Sequence, residues 1–87
     1  MRLDLLLKNL CLVKSRTRAN EAVSAGSVKL GGLSVKPSRE IREGDIIHIS
    51  YPTRELVLEV LELPPGQVSK KRAGDYYRII RERRMPR

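Results

Sequence analysis

The stretch Val13–Gly26 constrains the fold most, because it carries signals for both ends of one helix. Ser15 is a favourable N-cap residue, whose hydroxyl can accept a hydrogen bond from the backbone N–H of Thr17 or Arg18. Gly26 supplies the positive φ at which such helices commonly end. Between these signals, the apolar residues with helical spacing are Ala19, Ala22 and Val23. The stretch therefore predicts a helix of about three turns with one narrow buried face.

The first turn of this helix is unusually basic. It carries Arg16 and Arg18, and Lys14 lies just before it. Positive charge is unfavourable at a helix N-terminus, where the macrodipole is already positive. The arrangement suits an incoming anion, because backbone N–H groups and guanidinium groups both bind phosphate. A basic face that is only solvated is the alternative interpretation.

The residues around this helix predict an α+β domain. Residues 1–12 form a helix pattern whose core-facing stripe is Leu3, Leu6, Leu7 and Leu10. After Gly26, two alternating runs flank Gly31-Gly32, a pair that favours a two-residue hairpin turn with Leu30 opposite Leu33. The prediction is two N-terminal helices packed on a small, mostly antiparallel sheet.

The second half of the chain predicts two more strands and a final helix. Ile46–Tyr51 is β-branched, and Arg54–Leu63 alternates apolar and charged positions, although a helix remains an alternative there. Pro64-Pro65-Gly66 breaks the pattern. Ser69–Arg84 has a small apolar face at helical spacing. We therefore expect a domain over residues 1–63, followed over residues 64–87 by a linker and a short basic C-terminal helix packed on it.

The charge of the chain indicates a polyanionic partner. The 87 residues carry a formal net charge of +8, with three tyrosines and neither Trp nor Phe. Few aromatic side chains are available to stack on unpaired bases, which favours recognition of structured RNA through its backbone and shape. Duplex DNA is less favoured, because no long polar recognition helix is visible.

No catalytic or metal-binding pattern is present in the sequence. His48 is the sole histidine and Cys11 the sole cysteine, too few for a zinc site or an internal disulfide. We expect a protein that is not an enzyme and has no cofactor. Neither a secretory signal nor a membrane-spanning segment is recognisable, so a cytoplasmic location is expected.

The candidate RNA-binding residues come from the first helix, the second helix and the turn after the hairpin. Packing the two helices on the hairpin would bring these segments together. The candidates are Arg2, Lys14, Ser15, Arg16, Thr17, Arg18, Asn20, Lys36, Ser38 and Arg39.

Several short motifs have a common register in the first fifty residues. They are Arg2-Leu3-Asp4, Ser15-Arg16, Gly26, Val28, Gly32, Ser38 and Gly44-Asp45. This pattern resembles the alpha-L RNA-binding motif of ribosomal protein S-four, and the match covers about residues 1–50. The resemblance implies an RNA-binding domain with this α+β fold.

The layout of the whole chain is similar to that of the small bacterial ribosome quality control factors of the RqcP type. That likeness implies binding to 23S rRNA and peptidyl-tRNA on a stalled large (50S) subunit. It also implies support for C-terminal tailing of the nascent chain by the partner RqcH. Arg2 and Arg16 would then make the main RNA contacts, supported by Lys14, Arg18 and Arg39. Relatives often have basic residues where this chain has Leu5 and Cys11.

Three other functions remain open at this point. The chain could be an accessory RNA-binding module for an RNA-modifying enzyme or a tRNA synthetase. It could be a large-subunit binder of the small heat-shock type. It could also be an adaptor that binds proteins through Leu5, Cys11 and the apolar face of the final helix.

Overall fold

The computed structural model describes residues 1–84, in which helices and a single sheet form one α+β unit. The elements are α1 (Leu3–Asn9), α2 (Arg16–Ser24), β1 (Val28–Leu30), β2 (Leu33–Ser34), β3 (Ile46–Tyr51), β4 (Arg54–Val60), α3 (Lys70–Ala73) and β5 (Tyr77–Arg84). The predicted fold class is confirmed. Among the helices of these residues, none is long and apolar enough to cross a membrane.

The sheet is antiparallel, with strand order β2-β1-β3-β4-β5. Its register places two apolar rows on the face that α1 and α2 cover. These rows are Leu30, Ile47 and Leu58, and Val28, Ile49 and Leu56. The predicted leucine stripe of α1 packs onto them, and all four of its side chains are fully buried. The core therefore lies between the two helices and one face of the sheet.

Two local predictions for the sheet are confirmed. Gly31 and Gly32 have φ values of +57° and +82°, and Leu30 pairs with Leu33 across the turn. Arg54–Val60 is a strand and not a helix. Its apolar positions complete the buried rows when it pairs with β3, so tertiary packing overrides the helix propensity of Glu and Leu.

Both N-terminal helices end in the same hydrogen-bonded motif. At the end of α2, Gly26 has φ +82°, and the N–H groups of Gly26 and Ser27 donate to the carbonyls of Val23 and Ala22. At the end of α1, the equivalent bonds come from the N–H groups of Cys11 and Leu12. Cys11 takes the left-handed position with φ +57°, where a glycine is usual.

The C-terminal segment differs from its prediction. The short C-terminal helix is present, but α3 covers only Lys70–Ala73, and the rest of the predicted helix, Tyr77–Arg84, forms β5. The aromatic and β-branched run Tyr76–Ile80 favours a strand, and β4 offers a free edge with which to pair. The helix prediction is therefore wrong for β5.

The division of the chain between residues 63 and 64 stays a prediction. Val68, Tyr76 and Tyr77 pack against the same core as the helices, and β5 belongs to the same sheet. The last three residues of the predicted 64–87 unit lie outside the described part of the chain.

Candidate RNA-binding site

Asp4 is a buried carboxylate on which two arginines converge. Its side chain is only 2% exposed. Arg2 donates from Nε to Oδ1 at 3.2 Å and from Nη2 to Oδ2 at 3.0 Å. Arg16 Nε lies 3.6 Å from the same Oδ2. A buried carboxylate is costly unless it is paired, so Asp4 holds both guanidinium groups in place. We call Arg2, Asp4 and Arg16 the arginine cluster.

The arginine cluster remains open to solvent on its outer side. The side chains of Arg2 and Arg16 are 42% and 50% exposed. Arg2 uses Nε and Nη2 for Asp4, which leaves Nη1 directed to other partners. Two guanidinium groups against one carboxylate leave a net positive charge. The arrangement can therefore accept the oxygens of a phosphate.

The start of α1 is fixed by the loop over residues 36–41. The N–H of Leu3 donates to the carbonyl of Arg39 at 2.8 Å, and the N–H of Asp4 donates to that of Pro37 at 3.1 Å. Arg2 forms a β-bridge with Glu40. These bonds replace a side-chain N-cap, which α1 lacks. They also place the predicted residues Lys36, Ser38 and Arg39, all exposed, beside the arginine cluster.

The start of α2 completes the other side of the site. Ser15 is the N-cap, and its Oγ accepts a hydrogen bond from the N–H of Arg18 at 3.1 Å, one of the two bonds that the sequence predicts. Thr17 and Asn20 line one shallow concavity together with the arginine cluster. Ser15 therefore acts first as a helix cap, and Thr17 and Asn20 are placed to offer neutral hydrogen bonds beside the arginines.

Lys14 and Arg18 do not line this concavity. They border a different one with Leu12, Val13 and Tyr51. Successive helical residues are about 100° apart, so Arg16 and Arg18 point to opposite sides of α2. The structure therefore places Lys14 and Arg18 on a different surface from Arg2, Arg16 and the neutral residues beside them.

Two acidic residues near the site were missed by the sequence analysis. Asp4 entered the sequence analysis only as part of the motif Arg2-Leu3-Asp4, without a role of its own, and Glu21 was not considered. Asp4 directly follows Leu3 and lies one turn before Leu7, beside the leucine stripe of α1. This position was the one signal in the sequence that its side chain is buried. Glu21 is exposed and lines the same concavity, where its carboxylate adds a negative charge beside the arginines.

The loop beside the site carries one perturbed carboxyl. The N-terminal ammonium group donates to Glu40 Oε2 at 2.8 Å and lowers the pKa of that carboxyl below its ordinary value. Desolvation opposes this lowering of the pKa, and the charges of Arg2 and Arg42 add weaker lowering effects. Within residues 1–84, no group of three or more His, Cys, Asp or Glu side chains could hold a metal ion.

The sequence pattern of the S4 domain matches residues 1–47, which is more than half of the chain. The chain belongs to the S4 domain family. The matched residues contain the arginine cluster, the 36–41 loop and all of α2. In this S4-domain protein the arginine cluster thus lies within the part of the chain that matches the family.

Similar proteins resemble this S4-domain protein along nearly its whole length. It is 34% identical to the RQC P-site tRNA stabilizing factor of Streptococcus pneumoniae, over 98% of this chain and 96% of that protein. The protein of the same name from Bacillus subtilis is 31% identical, over 98% of both chains. The likeness therefore includes α3 and β5 as well as the S4 domain.

A solved structure shares the fold. Heat Shock Protein 15 of Vibrio cholerae, solved as a trimer, superposes with a TM-score of 0.87 and is 25% identical. The match covers 91% of this chain and 80% of that one. It supports the arrangement of helices and sheet described above.

Proposed function

We propose that this S4-domain protein is an RNA-binding factor of ribosome-associated quality control in the cytoplasm. It binds the large (50S) ribosomal subunit that carries stalled peptidyl-tRNA, and it contacts 23S rRNA and the tRNA. This binding supports C-terminal tailing of the nascent chain, with RqcH as a candidate partner. The relatives named RQC P-site tRNA stabilizing factor support this proposal, because the similarity runs through the whole chain.

The arginine cluster is the observation that carries the proposal. Arg2 and Arg16 are half-exposed but held by a buried carboxylate, so their guanidinium groups are oriented before RNA arrives. Side chains that are already ordered lose less conformational entropy on binding. Thr17, Asn20, Lys36, Ser38 and Arg39 surround the cluster and extend the contact along the phosphate backbone.

The chemistry proposed for the site is binding and not catalysis. It offers guanidinium, hydroxyl and amide groups, which recognise phosphate and sugar. We propose no cofactor and no reaction at the site. A peptidyl-tRNA is recognised through its backbone and shape, as suits a chain with three aromatic residues.

The test is co-sedimentation with large subunits that carry peptidyl-tRNA. We expect the Arg2→Ala/Arg16→Ala variant to lose co-sedimentation. Its stability falls because Asp4 is left without its arginine partners, so binding is measured at a temperature at which circular dichroism shows the variant folded. The matched control is Lys29→Ala/Arg81→Ala, which removes the same charge from exposed positions on the face of the sheet opposite the helices. We expect the control to bind like the wild type.

Two results would contradict the proposal. Full binding by the folded Arg2→Ala/Arg16→Ala variant would remove the cluster from the RNA interface. A wild-type protein that stays at the top of the gradient, and associates instead with an RNA-modifying enzyme, would favour an accessory RNA-binding module.

A further inference from the structure

A second basic surface lies around Leu12, apart from the arginine cluster. Three adjoining concavities share this residue or its neighbours Cys11 and Val13. The cations that line them are Lys8, Lys14, Arg18, Arg54 and Lys70. We call this surface the Leu12 groove.

Backbone and side-chain contacts hold the walls of the Leu12 groove together. The N–H of Val68 donates to the carbonyl of Asn9 at 3.1 Å, and Cys11 Sγ lies 3.3 Å from the carbonyl oxygen of Val68. The Tyr51 hydroxyl donates to the carbonyl of Leu12 at 2.8 Å. These contacts tie the segment before α3 and the end of β3 to the last turn of α1. The cations of five separate elements and loops are thereby brought to one surface.

The charged side chains that line the groove are all positive. No Asp or Glu belongs to the described lining of any of its three concavities. Arg54 is paired with Glu82 at 2.6 Å and stacks on the Tyr51 ring, 4.8 Å from its centroid. Among the ion pairs of residues 1–84, none includes Lys8, Lys14, Arg18 or Lys70. The groove therefore keeps four positive side chains together without a neutralising partner, an arrangement that suits the closely spaced charges of a phosphate backbone.

We propose that the Leu12 groove is a second phosphate-binding surface that contacts RNA independently of the arginine cluster. The inference rests on the proposed RNA-binding function and assigns Lys14 and Arg18 to a separate surface, with Lys8 and Lys70 as further contacts. The Tyr51 ring, held at the edge of the groove, offers an apolar face to a ribose or a base. Lysines on this surface act as point charges, so they add affinity and little base specificity.

The experiment measures the salt dependence of binding to large subunits that carry peptidyl-tRNA. The Lys14→Gln/Lys70→Gln variant is compared with Lys29→Gln/Arg81→Gln, which removes the same charge from the opposite face of the sheet. Each lost phosphate contact reduces the magnitude of the slope of log K against log salt by about 1. We therefore expect the slope of the groove variant to be shallower than that of the wild type by about 2. We expect the control variant to keep the wild-type slope.

The outcomes separate this inference from the proposed function. A groove variant with the slope of the control would overturn the second surface while leaving the arginine cluster in place. A wild-type protein that does not bind these subunits would overturn the proposed function itself. The same titrations are repeated with protein-free tRNA and protein-free 23S rRNA. Loss of slope on at least one of these RNAs is expected, and a loss confined to intact subunits would mean that the groove contacts a ribosomal protein.

Discussion

Replacing Asp4 with Asn tests whether the buried carboxylate organises the arginine cluster. The substitution preserves the size of the side chain and an acceptor for the N–H of Leu5, which donates to Oδ1 at 2.8 Å. It removes the negative charge and one of the two acceptors used by Arg2. It also removes the charge that holds Arg16 at 3.6 Å. The arginines themselves are unchanged.

The expected loss of stability is moderate. Breaking an ion pair that is buried on both sides typically costs about 3–5 kcal/mol, because the remaining charge is left without a partner. Here Arg2 and Arg16 are 42% and 50% exposed and can return to water. The loss is then mainly that of the charge-assisted hydrogen bonds from Arg2, discounted for solvent screening. We expect the free energy of unfolding to fall by about 1–2 kcal/mol, with an unchanged urea m-value.

The expected effect on RNA binding has two opposite parts. Without Asp4, the cluster gains one unit of positive charge, so the salt dependence of binding becomes steeper by at most about one ion. The guanidinium groups lose their common anchor, so more conformational entropy is lost when RNA binds. We therefore expect weaker binding to large subunits at moderate salt, together with a salt slope at least as steep as that of the wild type.

The assay combines urea denaturation with binding titrations at several salt concentrations. Asp75→Asn is the matched control, because it makes the same chemical change at an exposed position in the turn between α3 and β5. The reasoning is refuted if Asp4→Asn matches Asp75→Asn in both stability and affinity. Such a result would mean that Arg2 and Arg16 do not depend on Asp4 for their orientation.

Two further predictions concern the ends of the helices and the buried tyrosine. At positions 11 and 26 the backbone is left-handed, so glycine should be more stabilising than alanine by about 1 kcal/mol at each. Urea denaturation of the Cys11→Gly, Cys11→Ala and Gly26→Ala variants checks this. Equal stability of the two position-11 variants would contradict it. Burial raises the pKa of Tyr51 above its ordinary value, against the opposing charge of Arg54. The folded state thus holds this proton more tightly than the unfolded chain, so stability should fall as the pH rises above about 10. The Tyr51→Phe variant should be about 1 kcal/mol less stable than the wild type at neutral pH, because it lacks the hydrogen bond to the Leu12 carbonyl. Its free energy of unfolding should then fall less steeply than that of the wild type at high pH. A parallel fall in both proteins would show that Tyr51 does not cause the pH dependence.

The local features of this fold could be predicted from the sequence because they depend on neighbouring residues. The Ser15 cap, the Gly26 end and the Gly31-Gly32 turn each need a particular residue type at one position, and all three are as predicted. The strand β5 was not predicted, since its residues fit a helix almost as well. The free edge of β4, which decides between the two, belongs to a different part of the chain.

The candidate site could be predicted only as a set of residues. That Arg2 and Arg16 meet at Asp4 depends on how α1 and α2 cross, which no local pattern specifies. The separation of Arg18 from Arg16 was accessible in principle, because two residues along a helix turn by about 200°. Helix geometry alone therefore indicates that Arg16 and Arg18 lie on different surfaces, and the RNA-binding role of both stays a prediction.

The basic charge of this protein serves two different purposes. At the β4–β5 edge, Arg78 pairs with Glu59 and Arg54 pairs with Glu82, both at 2.6 Å. Each exposed ion pair of this kind contributes little stability. Opposite charges on neighbouring strands nevertheless favour the correct register, and charge on an edge strand disfavours its pairing with other chains. Arg54 and Arg78 are thus engaged within the sheet. On the helical side, the carboxylate Asp4 is buried beneath its arginines, so the positive surface is directed outward. The net charge of +8 is therefore a poor guide to the proposed RNA interface by itself, because some of the arginines are engaged with carboxylates of the sheet.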